Sequence, residues 1–184
     1  TGVQPSWMTS SDEERQQRRD ELDELCTGYK SSKFPSCPEV EPRELWESMN
    51  ASDTTSEGKK FVIVDTRREE EHKVSMLPGS VTQREFETRR EAHSNSTVYC
   101  YCTVGYRSGI YADKLRREGL EAVNLRGSIV AWTQEGLPLV KREHDGTETQ
   151  TKQVHAFGKQ WAHLCGADYS AVYFHHPIVK AVGQ

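Results

Sequence analysis

The chain has 184 residues, 34% hydrophobic and 28% charged, which is enough for one domain with appended segments but polar enough that part of it should lie outside a core. A formal net charge of −4 and a pI of about 6.0 argue against general nucleic-acid binding, which needs a basic face. No apolar run nears the ~18 residues of a membrane span and no secretory signal is visible, although a start at Thr1 rather than Met allows for a targeting segment lost upstream.

In chain order, residues 1–10 read as disordered. Ser11-Asp12-Glu13-Glu14 is a Ser-x-x-Glu capping box that opens a charged helix to about Cys26. Its thin edge of Leu22, Leu25 and Cys26 reads as a solvated surface helix, with a partner-binding role as the alternative. Residues 28–38 read as a loop broken by Pro35 and Pro38. Pro42 starts a second helix that buries Leu45, Trp46 and Met49. A polar stretch over 50–60 leads into a strand, Phe61-Val62-Ile63-Val64. Arg68 to Lys73 reads as an acidic helical turn and Arg84 to His93 as an exposed charged helix.

Thr97 to Tyr101 is β-branched and aromatic, as a strand in a sheet core should be. Ser108 to Gly119 reads as a helix, with Ile110, Tyr111 and Leu115 at helical spacing, Arg116 and Arg117 in the last turn and Gly119 as the stop. A strand over Ala122 to Leu125 and a helix over Ile129 to Gln134, with Trp132 in the core, close the pattern. Residues 143–153 read as a polar loop. Val154, Phe157, Trp161, Leu164, Tyr169, Val172, Tyr173 and Phe174 carry too much apolar surface for a free tail, so this segment should pack back on the domain or on another chain. His155, His163, His175 and His176, with Cys165 and Asp168, fit no metal-ligand spacing, so no metal is expected. Strands alternating with helices through short links predict an α/β fold with a parallel sheet, and ligands sit at the carboxyl ends of such strands.

Cys102 stands at such an end, between the strand and the next helix. A helix N-terminus offers free N–H groups and the positive end of the helix dipole, and a short loop wrapped onto it aims several amides into one concavity. A thiol there can fall from ~8.5 to roughly 3.5–7.5, and becomes substantially thiolate at neutral pH. Arg107 adds a fixed charge and Gly105 lets the backbone turn. The other cysteines, Cys26, Cys37, Cys100 and Cys165, bring the number to an odd five with no Cys-x-x-Cys pair. They read as free thiols of a reducing compartment, cytoplasm or an organelle interior. Cys100, two residues before Cys102, reads as a buried strand thiol, with a resolving role as the alternative.

The run Cys102-Thr103-Val104-Gly105-Tyr106-Arg107 resembles the active loop of the rhodanese family of sulfurtransferases, a cysteine followed, after four intervening residues, by an arginine that opens a helix. Phe61 to Arg67 is similar to the family's strand ending in Asp-x-Arg, and Leu77-Pro78-Gly79-Ser80-Val81 to its Ile-Pro-Gly-Ala turn. Val123 to Trp132 and Gly136-Leu137-Pro138 resemble its closing strand, helix and Gly-x-Pro exit. Met76 departs from it, since many relatives carry histidine there. The resemblance implies a doubly wound parallel sheet flanked by helices over residues 39–141. An N-terminal extension with a charged helix (1–38) and a C-terminal extension (142–184) lie outside it.

The resemblance further implies Cys102 as the nucleophile, Thr103, Val104, Gly105, Tyr106, Arg107 and Ser108 as the substrate-binding loop, Asp65 and Arg67 as braces behind it, and no cofactor. Partners would be a small-molecule sulfur donor and a thiol acceptor, with protein partners at the two extensions. The alternative is a sulfur-relay or docking module. Phosphatases and arsenate reductases on the same fold hold one residue more between cysteine and arginine, so the smaller cradle here favours sulfur over phosphate. Arg107 is the loop's single cation, which predicts weak thiosulfate binding.

Overall fold

A computed structural model of the chain describes residues 10–51 and 61–174. The expected disorder before Ser10, most of the polar stretch over 50–60, and His175 and His176 lie outside the described residues.

The centre is a five-stranded, all-parallel sheet in the order β1-β5-β4-β2-β3, flanked by helices. Its strands are β1 (Glu39–Val40), β2 (Phe61–Asp65), β3 (Val81–Thr82), β4 (Thr97–Tyr101) and β5 (Ala122–Leu125). Successive strand side chains face opposite sides, so the core divides in two. Val62, Val64, Val98 and Cys100 join Phe34, Phe86, Tyr111 and Leu115 in one apolar cluster. Ile63, Tyr101 and Leu125 join Leu45, Ile129 and Trp132 in the other.

The helices are α1 (Ser10–Lys33), α2 (Pro42–Asn50), α3 (Glu69–His72), α4 (Gln83–Thr88), α5 (Tyr106–Arg117) and α6 (Ser128–Gln134). Three expectations are revised here. First, α1 is not a solvated helix ending near Cys26: it runs on to Lys33, includes Ser11 within it, and buries Leu22, Cys26 and, just past its end, Phe34. Second, the stretch from Arg84 to His93 is a short helix and a 3₁₀ turn (Arg90–His93), with Phe86 fully buried rather than exposed. Third, the expected loop over 143–153 is mostly an antiparallel hairpin of β6 (Leu139–Arg142) and β7 (Glu148–Thr151), turned at Gly146 with φ +84°.

The C-terminal segment forms β8 (Gln153–His155), α7 (Lys159–Ala162) and β9 (Ser170–Val172), with β8 and β9 paired in parallel. Val154, Leu164 and Tyr169 enter the same apolar cluster as Trp132. Gly166 allows the approach, since a β-carbon there would lie 2.0 Å from the Thr133 carbonyl oxygen. No described helix is long and apolar enough to cross a membrane.

Candidate active site

β4 delivers Cys102 to the carboxyl edge of the sheet, and the chain turns through Thr103, Val104 and Gly105 into α5. Gly105 holds φ +91°, a left-handed conformation that glycine adopts freely, and its N–H donates to Cys102 Sγ at 3.2 Å. The loop's carbonyls turn the other way, onto α6: the Ile129 N–H donates to Cys102 O at 3.2 Å and the Val130 N–H to Thr103 O at 3.1 Å. Amides thus converge on the sulfur and carbonyls are drawn off it, the polarity an anionic sulfur needs.

The Cys102 side chain is 1% exposed, so the thiol forms the floor of the loop. Burial opposes its ionisation, but the Arg107 charge and the N–H groups of Ser108 and Gly105 prevail and hold it below the usual thiol range. The other cysteines are shifted the opposite way by burial: Cys26 and Cys165 are pushed up to about 12, Cys37 upward and Cys100 well upward. Cys100 is a fully buried thiol of the apolar core.

Arg107 is braced by a residue that sequence reasoning did not single out. Its Nη1 and Nη2 donate to the two oxygens of Glu71, each at 3.0 Å, and Nη2 also reaches Thr103 Oγ1 at 3.0 Å. Thr103 Oγ1 in turn donates to Glu71 at 3.0 Å. Glu71 has no solvent exposure and also accepts the Arg68 N–H at 3.0 Å. Burial works against its charge, yet the Arg107 hydrogen bonds keep the carboxyl below its ordinary range.

A second unforeseen group backs the sulfur. Ser128 Oγ accepts the Cys102 N–H at 2.9 Å and lies 3.9 Å from Sγ. Ser108 Oγ stands 3.3 Å from it and donates to Asn124 Oδ1 at 2.7 Å. The Asn124 amide donates to the Gly105 carbonyl at 3.2 Å and to Glu39 at 2.9 Å. The signal for Ser128 was the Gly127-Ser128 pair at a strand-to-helix turn, where Ser128 takes φ +52°.

The remaining predicted residues fall around this centre. Val104 packs in the core and its carbonyl accepts the Cys26 S–H at 3.7 Å. The Tyr106 ring meets Tyr29 of α1 edge-on, 5.1 Å between centroids. Asp65 and Arg67 form a fully buried ion pair at 2.7 Å. They reach the hydroxyl of Tyr101, which donates to Asp65 at 2.5 Å, and the Ser75 carbonyl at 2.6 Å. They therefore fix the residue before Cys102 and the turn after α3, while Glu71 holds the loop itself. Met76, in place of the family's histidine, is buried and pairs with Val140 across an isolated bridge.

The C-terminal segment reaches the same mouth. The Phe157 ring lies against the guanidinium of Arg107, 5.1 Å from Cζ to centroid, and against that of Arg68 at 5.5 Å. Phe157 holds φ +62°, which costs a bulky residue about 1–3 kcal/mol and persists only where surroundings impose it. Its N–H donates to His155 Nδ1 at 3.0 Å, and Phe174 packs on both rings.

The rhodanese-like domain model matches residues 41–135, a little over half the chain. Among solved structures, the chain is similar to a thiosulfate sulfurtransferase from Pseudomonas aeruginosa, at 21% identity over 71% of this chain and 24% of that one, with a TM-score of 0.51. A rhodanese-like domain protein from Staphylococcus aureus is 27% identical over 54% of this chain and 95% of that one, with a TM-score of 0.44. A search of curated proteins finds no match. The parallel sheet, the cysteine loop at its carboxyl edge and the family match agree, and the chain belongs to the rhodanese-like domain family.

Proposed function

We propose that this protein is a sulfurtransferase that moves sulfane sulfur through a persulfide on Cys102. The thiolate attacks the outer sulfur of a donor, the donor's sulfur–sulfur bond breaks, and the leaving group departs with the electron pair: sulfite from thiosulfate, a thiolate from a persulfide. Cyanide or a thiolate then attacks the terminal sulfur, which restores the Cys102 thiolate. The N–H groups of Gly105 and Ser108 hold the negative charge throughout. Donors of this kind, aimed where charge develops, cost roughly 2.7–4 kcal/mol each when removed.

The observation that carries this reading is Cys102, the one cysteine whose thiol is held low while burial raises the other four. Arg107 is the loop's single cation and is paired with Glu71, which supports as donor, over free thiosulfate, a persulfide, a protein or a mercaptopyruvate-like molecule, whose carbon–sulfur bond would break instead with the enolate taking the electron pair. The same pairing favours the second reading, a relay or docking module with little turnover of its own, whose partners would meet the terminal extensions.

Intact-mass measurement after incubation with thiosulfate or a low-molecular-weight persulfide tests both. One added sulfur on the wild type and none on Cys102→Ala is expected. A transferase then discharges it repeatedly to cyanide or thiol, and a relay discharges it once. No adduct with any donor overturns sulfur transfer.

A further inference from the structure

Phe157 comes from outside the matched family region, yet its ring rests on the one cation of the catalytic loop. The ring is held there at the cost of backbone strain that its departure would relieve. A left-handed backbone, the hydrogen bond to His155 and the packing of Phe174 aim the ring at two guanidiniums at once. Arg107 makes three N–H contacts to Glu71 and Thr103, which leaves two of its five N–H groups for a ligand once the ring no longer covers the guanidinium. Arg68 is exposed and, among the described residues, has no carboxylate within ion-pair distance. Of the two guanidiniums beneath the ring only Arg107 is paired with a carboxylate, Glu71, and the aromatic face that covers them attracts cations and repels an anion.

We propose that Phe157 is a gate masking an anion-binding subsite made by Arg68 and Arg107 at the mouth of the Cys102 loop. When the ring swings aside, both guanidiniums face an acid group carried by a small sulfur donor, a carboxylate or a sulfonate-type anion. The ring then selects against bare inorganic anions, which cannot displace it through apolar contact, and favours a donor that joins an apolar body to an acid group. The donor's identity rests on the sulfur-transfer reading. The gate requires only that Cys102 be the reactive thiol.

The test compares alkylation of Cys102 by neutral iodoacetamide and anionic iodoacetate at neutral pH, followed by mass on the Cys102 peptide. Phe157→Gly suits the left-handed backbone and removes the ring. It should raise the iodoacetate-to-iodoacetamide rate ratio roughly fivefold, the effect of about one unit charge at contact distance in water. Adding Arg68→Gln should return the ratio toward the wild-type value. Phe157→Leu keeps the apolar volume and guards against a loosened C-terminal segment in the glycine variant. It should raise the same ratio by a smaller factor. A ratio that stays at the wild-type value in both variants overturns the gate, as does a rise that Arg68→Gln leaves untouched. A protein that takes up no sulfur but shows the shift loses the transfer reading and keeps the gate.

Discussion

Glu71 sets how much of the Arg107 charge reaches Cys102. Glu71→Gln removes the negative charge and leaves an amide oxygen that can still accept one Arg107 N–H. The sulfur should then feel a less compensated cation, and the pH at which iodoacetamide trapping of Cys102 is half-maximal should move down, by on the order of half a unit or more. The loop should lose about 1–3 kcal/mol, because a buried acceptor pair is traded for a weaker one. An unmoved or raised midpoint would mean that the carboxylate is not felt at the sulfur. Cys102 and Arg107 were legible from their spacing. Glu71 was not, because Glu69-Glu70-Glu71 offers three equal candidates, and only the turn of α3 decides that Glu71 points inward while Glu69 pairs with Lys73 in solvent.

Among the elements, α1 is tied to α5, the helix that follows the Cys102 loop, by a close approach at Gly109. A β-carbon there would lie 2.3 Å from Cζ of Phe34, whose ring is 1% exposed. In an isolated helix, glycine to alanine is favourable by about 1 kcal/mol. Here the sign should reverse. Gly109→Ala should cost about 1–3 kcal/mol through overpacking, read as a lower urea midpoint. In a Phe34→Leu background, where the ring is gone, the penalty should shrink, and equal costs in both backgrounds would place the strain elsewhere. Strands β2, β4 and β5 were readable because burial, β-branching and aromatic content coincide in them. The full length of α1 was not, since Gly28 looked like a break. Nothing lies within 4 Å of a β-carbon at Gly28, and Ser31 and Ser32 hydrogen-bond back to its carbonyl, so the helix passes through it. The β6–β7 hairpin was hidden because its strand β7 is polar and mostly exposed, with no alternation to read.

For the molecule as a whole, buried titratable groups make stability fall in acid, in two ranges. Asp65 and Glu71 are carboxyls held below their ordinary values by Arg67 and Arg107 against the pull of burial. Their contribution is complete above the unfolded values of ~3.9 and ~4.3 and is lost as pH falls through the lower folded values. His155 acts earlier. Burial lowers its pKa first, Glu71 and Glu70 draw it up, and Arg67 and Arg107 push it down, leaving it below the ordinary value. The unfolded chain therefore takes up a proton below ~6.5 before the folded one does, so stability from a neutral His155 is present above ~6.5 and declines as pH falls through the folded value. The proton also competes with the Phe157 N–H for Nδ1. His155→Asn supplies an oxygen to accept that N–H and cannot titrate. Between pH 7 and 5.5 the wild type should lose stability at up to ~1.4 kcal/mol per unit from this one group, and the variant should show a shallower decline in urea midpoint. Parallel declines would place the proton uptake on another group and detach the C-terminal segment from the acid response.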